Sequence, residues 1–134
     1  MFGSIVVGTD GSDAAKEAVR QAVELAKAVG AELLFVSAYH APAEAQWMVS
    51  AREDVSKLLA EAEQAAADAG VAAQAFPRQG DPADAILDVA EERDADLIVV
   101  GNKGMTGAKR FLLGSVPNRV SHHAPCSVLI IRTS

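Results

Sequence analysis

Five short, mainly apolar runs alternate along the chain with longer segments in which apolar residues recur at helical spacing, and the first, fourth and fifth runs are rich in β-branched residues. Runs that are apolar at every position are typical of parallel strands buried on both faces. A parallel strand reaches its neighbour through a crossover, so the alternation predicts an open α/β sheet with helices on both faces. The strands are predicted at residues 4–9, 33–38, 73–77, 96–100 and 127–132.

Several helix boundaries are also marked in the sequence. Ser12 is a good N-cap for a helix that ends at Gly30, and Asp81 followed by Pro82 predicts a second helix start. Further helices are expected over residues 47–69 and 115–123, with a loop between residues 39 and 46. We expect the strand order 3-2-1-4-5, because ligands of such sheets bind where the order reverses, here beyond the first and fourth strands.

Length and composition indicate one domain spanning residues 1–134, with half of its residues hydrophobic. Cys126 is the only cysteine, which excludes an intrachain disulfide and predicts a small buried side chain. No secretory signal and no apolar run long enough to span a membrane are present in the sequence. These features predict a cytoplasmic protein without a membrane partner.

A glycine-rich segment follows the fourth predicted strand. Gly101 and Gly104 are followed after nine residues by Gly114, and Ser115 opens the last predicted helix. Glycines between a strand and a helix N-terminus let a ligand approach the backbone, whose N–H groups and helix dipole favour a phosphate. The alternative is that these glycines only form tight turns.

The charges are distributed unevenly along the chain. All 18 acidic residues lie at or before Asp96, whereas five basic residues and no acidic ones follow it. This distribution favours an anionic ligand of the C-terminal segment. The formal net charge of −6 and the aromatic content of 4% argue against nucleic acid as a partner.

Two common classes of nucleotide-binding enzyme are excluded by missing motifs. A Rossmann dehydrogenase would carry Gly-x-Gly-x-x-Gly after its first strand, where this sequence has Gly8-Thr9-Asp10-Gly11. The Gly-x4-Gly-Lys-Ser/Thr loop of phosphate-loop NTPases is absent as well. No pairing of a nucleophile with a base is visible in the sequence, so we expect a binding protein without catalytic residues.

The whole chain resembles the universal stress protein family. The resemblance rests on the first strand ending in Gly-Thr-Asp-Gly-Ser, on the Gly101-x2-Gly104-x9-Gly114-Ser115 spacing, and on the run from Leu113 to Pro117. It implies a nucleotide-binding fold of the adenine nucleotide alpha-hydrolase-like type, usually found as a homodimer. The intact glycine spacing is similar to that of the branch that binds ATP.

The same resemblance implies a set of nucleotide-binding residues. The glycines would admit ribose and phosphates, Ser115 and Val116 would hold phosphate, Asp10 would contact ribose or a metal-bridged phosphate, and the Ala38 backbone would meet adenine. The implied set is Thr9, Asp10, Ala38, Gly101, Asn102, Gly104, Gly114, Ser115 and Val116. The expected ligand is ATP with Mg²⁺ in a regulatory or stress-response protein, and cyclic AMP binding or a weak ATPase activity are the alternatives.

Asp10 has two interpretations that the sequence leaves open. It can bind ribose or Mg²⁺ through its oxygens, or it can stabilise its own turn.

The last predicted strand suggests that the protein forms a dimer, because four consecutive apolar residues at a sheet edge favour pairing with a second copy. The predicted dimer interface is therefore Val128, Leu129, Ile130 and Ile131.

Overall fold

A computed structural model describes residues 2–40, 45–102 and 115–133, and for residues 45–51 it describes the backbone alone. Within these residues, five parallel strands form one sheet in the order β3-β2-β1-β4-β5, which confirms the predicted fold and strand order. The strands are β1 (Ser4–Gly8), β2 (Glu32–Tyr39), β3 (Ala73–Gln79), β4 (Leu97–Gly101) and β5 (Ser127–Ile131). The helices are α1 (Asp13–Val29), α2 (Ala45–Asp68), α3 (Pro82–Glu92) and α4 (Ser115–His123).

The predicted helix caps are confirmed in atomic detail. The Ser12 hydroxyl accepts a hydrogen bond of 3.1 Å from the Ala15 amide, and Gly30 ends α1 with a φ of 74°. The Asp81 carboxylate accepts from the Asp84 amide at 3.0 Å, with Pro82 in the first turn of α3. These caps satisfy amides that a helix N-terminus leaves without partners.

Two separate hydrophobic cores hold the helices on the two faces of the sheet. The core of one face combines Ile5, Leu33 and Phe35 with apolar residues of α1 and α2. The core of the other face combines Val6 and Leu34 with residues of α3 and α4. Since neighbouring residues of β1 and β2 enter opposite cores, both strands must be apolar at consecutive positions.

The two ends of the molecule's last strand differ in their environment. Cys126, just before β5, is partly buried and packs against the core shared with α3 and α4, and burial raises the pKa of its thiol. Its burial is therefore less complete than predicted. Ile131, at the other end of β5, is buried in the core of α1 and α2.

No helix among the described residues is both long and apolar enough to cross a membrane.

Asp96, placed by the sequence at the start of a strand, instead fastens the beginning of β1 to the beginning of β4. Its carboxylate accepts hydrogen bonds from the backbone amides of Gly3 at 3.0 Å and Ser4 at 3.2 Å. The Gly3 amide is the largest cause that lowers the pKa of Asp96 below its ordinary value of 3.8. A carboxylate that accepts two amides is stabilised in its charged form.

We predict that Asp96→Asn destabilises the protein by about 1 kcal/mol at pH 7, because one charged acceptor is lost. The pKa of Asp96 is lower in the folded protein than its ordinary value of 3.8. The stabilisation that the Asp96 carboxylate contributes is therefore complete above pH 3.8 and is lost as the pH falls through the pKa of the folded state. Urea unfolding at several pH values measures this, with the exposed Glu53→Gln as a control. A stability difference that does not shrink in acid would contradict the assignment.

Candidate functional site

The turn between β1 and α1 is held by its own side chains. The Thr9 amide donates to the Val36 carbonyl at 3.0 Å, which extends the pairing of β1 with β2 by one residue. The Thr9 hydroxyl accepts from the Gly11 amide at 3.2 Å, and one Asp10 oxygen accepts from the Ser12 amide at 2.9 Å. Gly11 has a φ of 80°, which a residue with a side chain adopts at a cost. The turn therefore has a fixed shape, and the second Asp10 oxygen accepts no hydrogen bond from residues 2–40, 45–102 or 115–133.

A cavity of about 150 Å³ opens beside this turn, beyond the carboxyl ends of β1 and β2. It brings together three of the predicted residues, Thr9, Asp10 and Ala38. Thr9 is 3% exposed, whereas Asp10 and Ala38 are half-buried. This is the edge of an open α/β sheet at which ligands bind. The remaining lining residues are Val36, Ser37, His40, Gly80, Pro82 and Ile86. We call this cavity the cleft.

The start of α3 forms a wall of the cleft that sequence reasoning missed. The Gly80 amide donates to the Tyr39 carbonyl at 2.8 Å, which brings the turn before α3 against the end of β2. Gly80 and Pro82 consequently line the cleft together with the exposed His40. The predicted strand order could have indicated this wall. β3 lies next to β2 and both strands end at the same edge, so the turn that follows β3 must lie near the end of β2.

Gly101 and Asn102 lie beyond the end of β4, on the other side of β1. Val7 pairs with Val99, so the chains that leave β1 and β4 emerge side by side. A Cβ atom on Gly101 would lie 3.6 Å from Thr133 Cγ2 and 3.9 Å from the Ala14 carbonyl oxygen, and its φ is not positive. Neither the backbone conformation of Gly101 nor its packing against the described residues therefore requires glycine at this position. Neither Gly101 nor Asn102 lines the cleft itself.

Ser115 and Val116 begin α4, and they differ in what they offer a ligand. Ser115 is exposed at the first position of the helix, and its amide and hydroxyl make no hydrogen bond to the part of the chain that the structure describes. The Val116 side chain is buried in the core formed with α3, so only its backbone amide can serve a ligand. Neither residue lines the cleft. The predicted residues Gly104 and Gly114 lie outside the described residues.

Arg119 ties α4 to the helix that lines the cleft. Its guanidinium lies 2.7 Å from an Asp84 oxygen and 3.8 Å from an oxygen of Asp81, the cap of α3. Arg119 is one of the five basic residues of the C-terminal segment, so at least this charge is engaged by α3. Its exposed ion pairs contribute little stability, but they align the helix that Ser115 opens with the cleft wall.

A larger cavity of about 350 Å³ lies between α1 and α2. Its walls are mainly apolar, and Val19, Val23, Leu58 and Ala62 are among the lining residues. Of the predicted site residues that the structure describes, only Thr9 lines this cavity. A nucleotide site needs convergent polar groups, so the smaller cleft is the better candidate. Among the described residues, no group of three or more His, Cys, Asp or Glu side chains is arranged to hold a metal ion.

The order of the five parallel strands defines a doubly wound α/β protein, and its cleft lies at the carboxyl edge of the sheet, where proteins of this class bind ligands. The model of the universal stress protein family matches residues 1–132. The chain belongs to the universal stress protein family.

Individual relatives resemble the chain along its whole length. A universal stress protein of Mycobacterium tuberculosis is 38% identical over 144 residues, covering 99% of this chain and 98% of the relative. The crystal structure of a universal stress protein in complex with cAMP is 36% identical, with a TM-score of 0.83 and 99% of each chain covered. The structure of a universal stress protein from Archaeoglobus fulgidus in complex with dAMP is 28% identical, with a TM-score of 0.77, covering 97% of this chain and 98% of that one.

Proposed function

We propose that this protein binds an adenine nucleotide in the cleft and acts as a regulatory protein of the stress response. The observation that carries the proposal is that one cavity at the carboxyl ends of β1 and β2 gathers Thr9, Asp10 and Ala38. A location in the cytoplasm is part of the proposal and is consistent with a chain that carries a single cysteine.

The relatives support an adenine nucleotide as the ligand class. Two solved relatives, 36% and 28% identical to this chain, are complexes with cAMP and dAMP, which share adenine, a sugar and one phosphate. In this protein, the cleft offers the β2 backbone near Ala38 to a base and the free Asp10 oxygen to a sugar hydroxyl. The start of α4 offers the exposed Ser115 hydroxyl and the amides of a helix N-terminus to a phosphate.

We infer that ATP with Mg²⁺ is the principal ligand. The spacing of Gly101, Gly104, Gly114 and Ser115 is similar to that of the branch of the family that binds ATP, and this similarity supports ATP. Mg²⁺ is commonly held by one or two carboxylates together with phosphate oxygens, and Asp10 offers one such carboxylate with an uncommitted oxygen. Cyclic AMP is the second candidate, favoured by the 36% identical relative in complex with cAMP.

Calorimetry and thermal unfolding with ATP–Mg²⁺, cyclic AMP and CTP–Mg²⁺ test the ligand class. A ligand at 100 times its dissociation constant stabilises the fold by about 2.7 kcal/mol. We expect a clear rise in melting temperature with an adenine nucleotide and none with CTP. Absence of binding by both ATP and cyclic AMP at millimolar concentration would refute the proposal.

Gly101→Ala separates a ligand-binding glycine from a turn-forming one. The structure has room for the added methyl group, so we expect the free energy of unfolding to change little. A nucleotide that must approach this backbone should bind about tenfold more weakly, a loss of about 1.4 kcal/mol. Gly30→Ala is the matched control, because its φ of 74° makes alanine costly by about 1 kcal/mol while it lies in the cap of α1. Unchanged affinity in Gly101→Ala would remove this residue from the site.

Asp10→Asn tests the metal-bridged interpretation of Asp10. Asparagine keeps an oxygen for the Ser12 amide, and so preserves the turn, but it removes the negative charge. If Asp10 binds a phosphate through Mg²⁺, the variant should lose most of the increase in ATP affinity that Mg²⁺ gives the parent protein. Titrations with ATP in EDTA and in Mg²⁺ measure this increase. Equal Mg²⁺ dependence in both proteins would leave Asp10 as a ribose contact or a turn residue.

We also propose that the protein forms a homodimer through β5. This strand is at the edge of the sheet, and its Leu129 side chain is 39% exposed. Val128 and Ile130 are partly buried against the core of α3 and α4, and Ile131 is buried. Leu129 is therefore the side chain of β5 best placed to contact a second copy, while pairing of the strand backbones would satisfy the free edge.

Leu129→Lys should shift the protein from dimer to monomer, because it places a charge at the proposed interface without opening the core. Val29→Lys is the matched control, since Val29 is an exposed apolar residue of similar exposure, 44%, on α1. Sedimentation at tens of micromolar measures both variants. A parent protein that sediments as a monomer, or a control that dissociates as readily, would contradict the proposed interface.

A further inference from the structure

The residues after β5 return to the end of β4 and hold Asn102 on two sides. The backbone N–H of Asn102 donates a hydrogen bond to the Ile131 carbonyl at 2.9 Å. The Thr133 amide and the Thr133 hydroxyl both donate to Asn102 Oδ1, at 2.9 Å and 2.8 Å. Three hydrogen bonds thus connect Asn102 to a segment about thirty positions later in the chain.

These contacts determine which way the Asn102 side chain faces. A backbone N–H can only donate a hydrogen bond. The atom of the Asn102 side chain that contacts the Thr133 backbone N–H must therefore be the oxygen Oδ1 and not the nitrogen. Both donors from Thr133 reach this one oxygen, which uses its acceptor capacity. The NH₂ group of Asn102 is consequently turned away from Thr133, and it makes no hydrogen bond within the described residues.

We propose that Thr133 is a positioning residue that presents the NH₂ group of Asn102 as a hydrogen-bond donor to the bound nucleotide. This proposal rests on the proposed function, and the ligand group is an oxygen acceptor of phosphate or ribose. Asn102 follows β4, which pairs in parallel with β1, so the backbone at Asn102 leaves the sheet next to the chain that carries Asp10. An amide free to rotate would present its oxygen as readily as its NH₂ group, and an oxygen would repel a phosphate.

The alternative is that Thr133 only fastens the end of the chain to β4. Both interpretations predict that loss of the Thr133 hydroxyl lowers stability, so stability cannot separate them. They differ in nucleotide affinity and in whether that effect depends on Asn102. Thr133→Val removes the hydroxyl at nearly constant shape, and Thr133→Ser retains it.

The experiment is a double-mutant cycle on nucleotide affinity, measured by calorimetry with ATP–Mg²⁺ and with cyclic AMP. We expect Thr133→Val to weaken binding about threefold, because it removes the hydroxyl but keeps the backbone amide that also donates to Asn102 Oδ1, and we expect Thr133→Ser to bind like the parent. In an Asn102→Ala background, Thr133→Val should change the affinity less than twofold, because the group that it positions is absent. In the parent protein, the ¹⁵N-labelled side-chain NH₂ signals of Asn102 should shift when nucleotide is added.

Two results would overturn the proposal while the proposed function stands. They are a parent-like affinity of Thr133→Val, and an equal loss of affinity from Thr133→Val with and without Asn102. Failure of the parent protein to bind either nucleotide would instead refute the proposed function, and this proposal with it. Urea unfolding of each variant confirms that the titrations compare folded proteins.

Discussion

Burial of β1 on both faces is the constraint on which the rest of the structure depends. Ile5, Val6 and Val7 have no exposed surface, because they alternate between two hydrophobic cores and are paired with strands on both sides. A central parallel strand of this kind must send its chain out at its carboxyl end, where no further sheet covers it. The turn from Thr9 to Ser12 is therefore placed next to the ends of β2 and β4, and it becomes the centre of the candidate site.

Local sequence signals were sufficient for the architecture. The apolar runs marked all five strands, and Ser12, Gly30 and Asp81 ended or began helices for reasons that lie within a few residues of each position. The strand order predicted that the turn at Thr9 and Asp10 faces the start of the glycine-rich segment at Gly101 across one cleft, but Gly101 does not line the cleft that the structure describes. Ala38 entered the predicted site through the family resemblance, and the cleft contains it. The predictions of strands, caps and strand order succeeded because hydrophobic period, capping and crossover geometry act over short distances.

The interactions that were missed join residues far apart in the chain. Asp96 holds amides that lie more than ninety positions earlier, and Arg119 of α4 pairs with Asp84 of α3. The hydrogen bond from Gly80 to Tyr39, which completes the cleft wall, likewise links two separate turns. Periodicity carries no record of such pairs, because each partner alone resembles an ordinary charged or turn residue. Only the assembled sheet decides which of them meet.

Two polar residues of the candidate site, Asp10 and Asn102, are each oriented by hydrogen bonds within the protein. One oxygen of Asp10 accepts from the Ser12 amide, and the oxygen of Asn102 accepts from Thr133. What remains is an acceptor on Asp10, a donor on Asn102 and a hydroxyl on Ser115. A ligand that meets groups held in this way loses less free energy to side-chain ordering than one that must order them itself. The remaining acceptor and donors complement a molecule with both sugar hydroxyls and phosphate oxygens. The hydrogen bonds that orient Asp10 and Asn102 therefore favour the proposed nucleotide as the ligand.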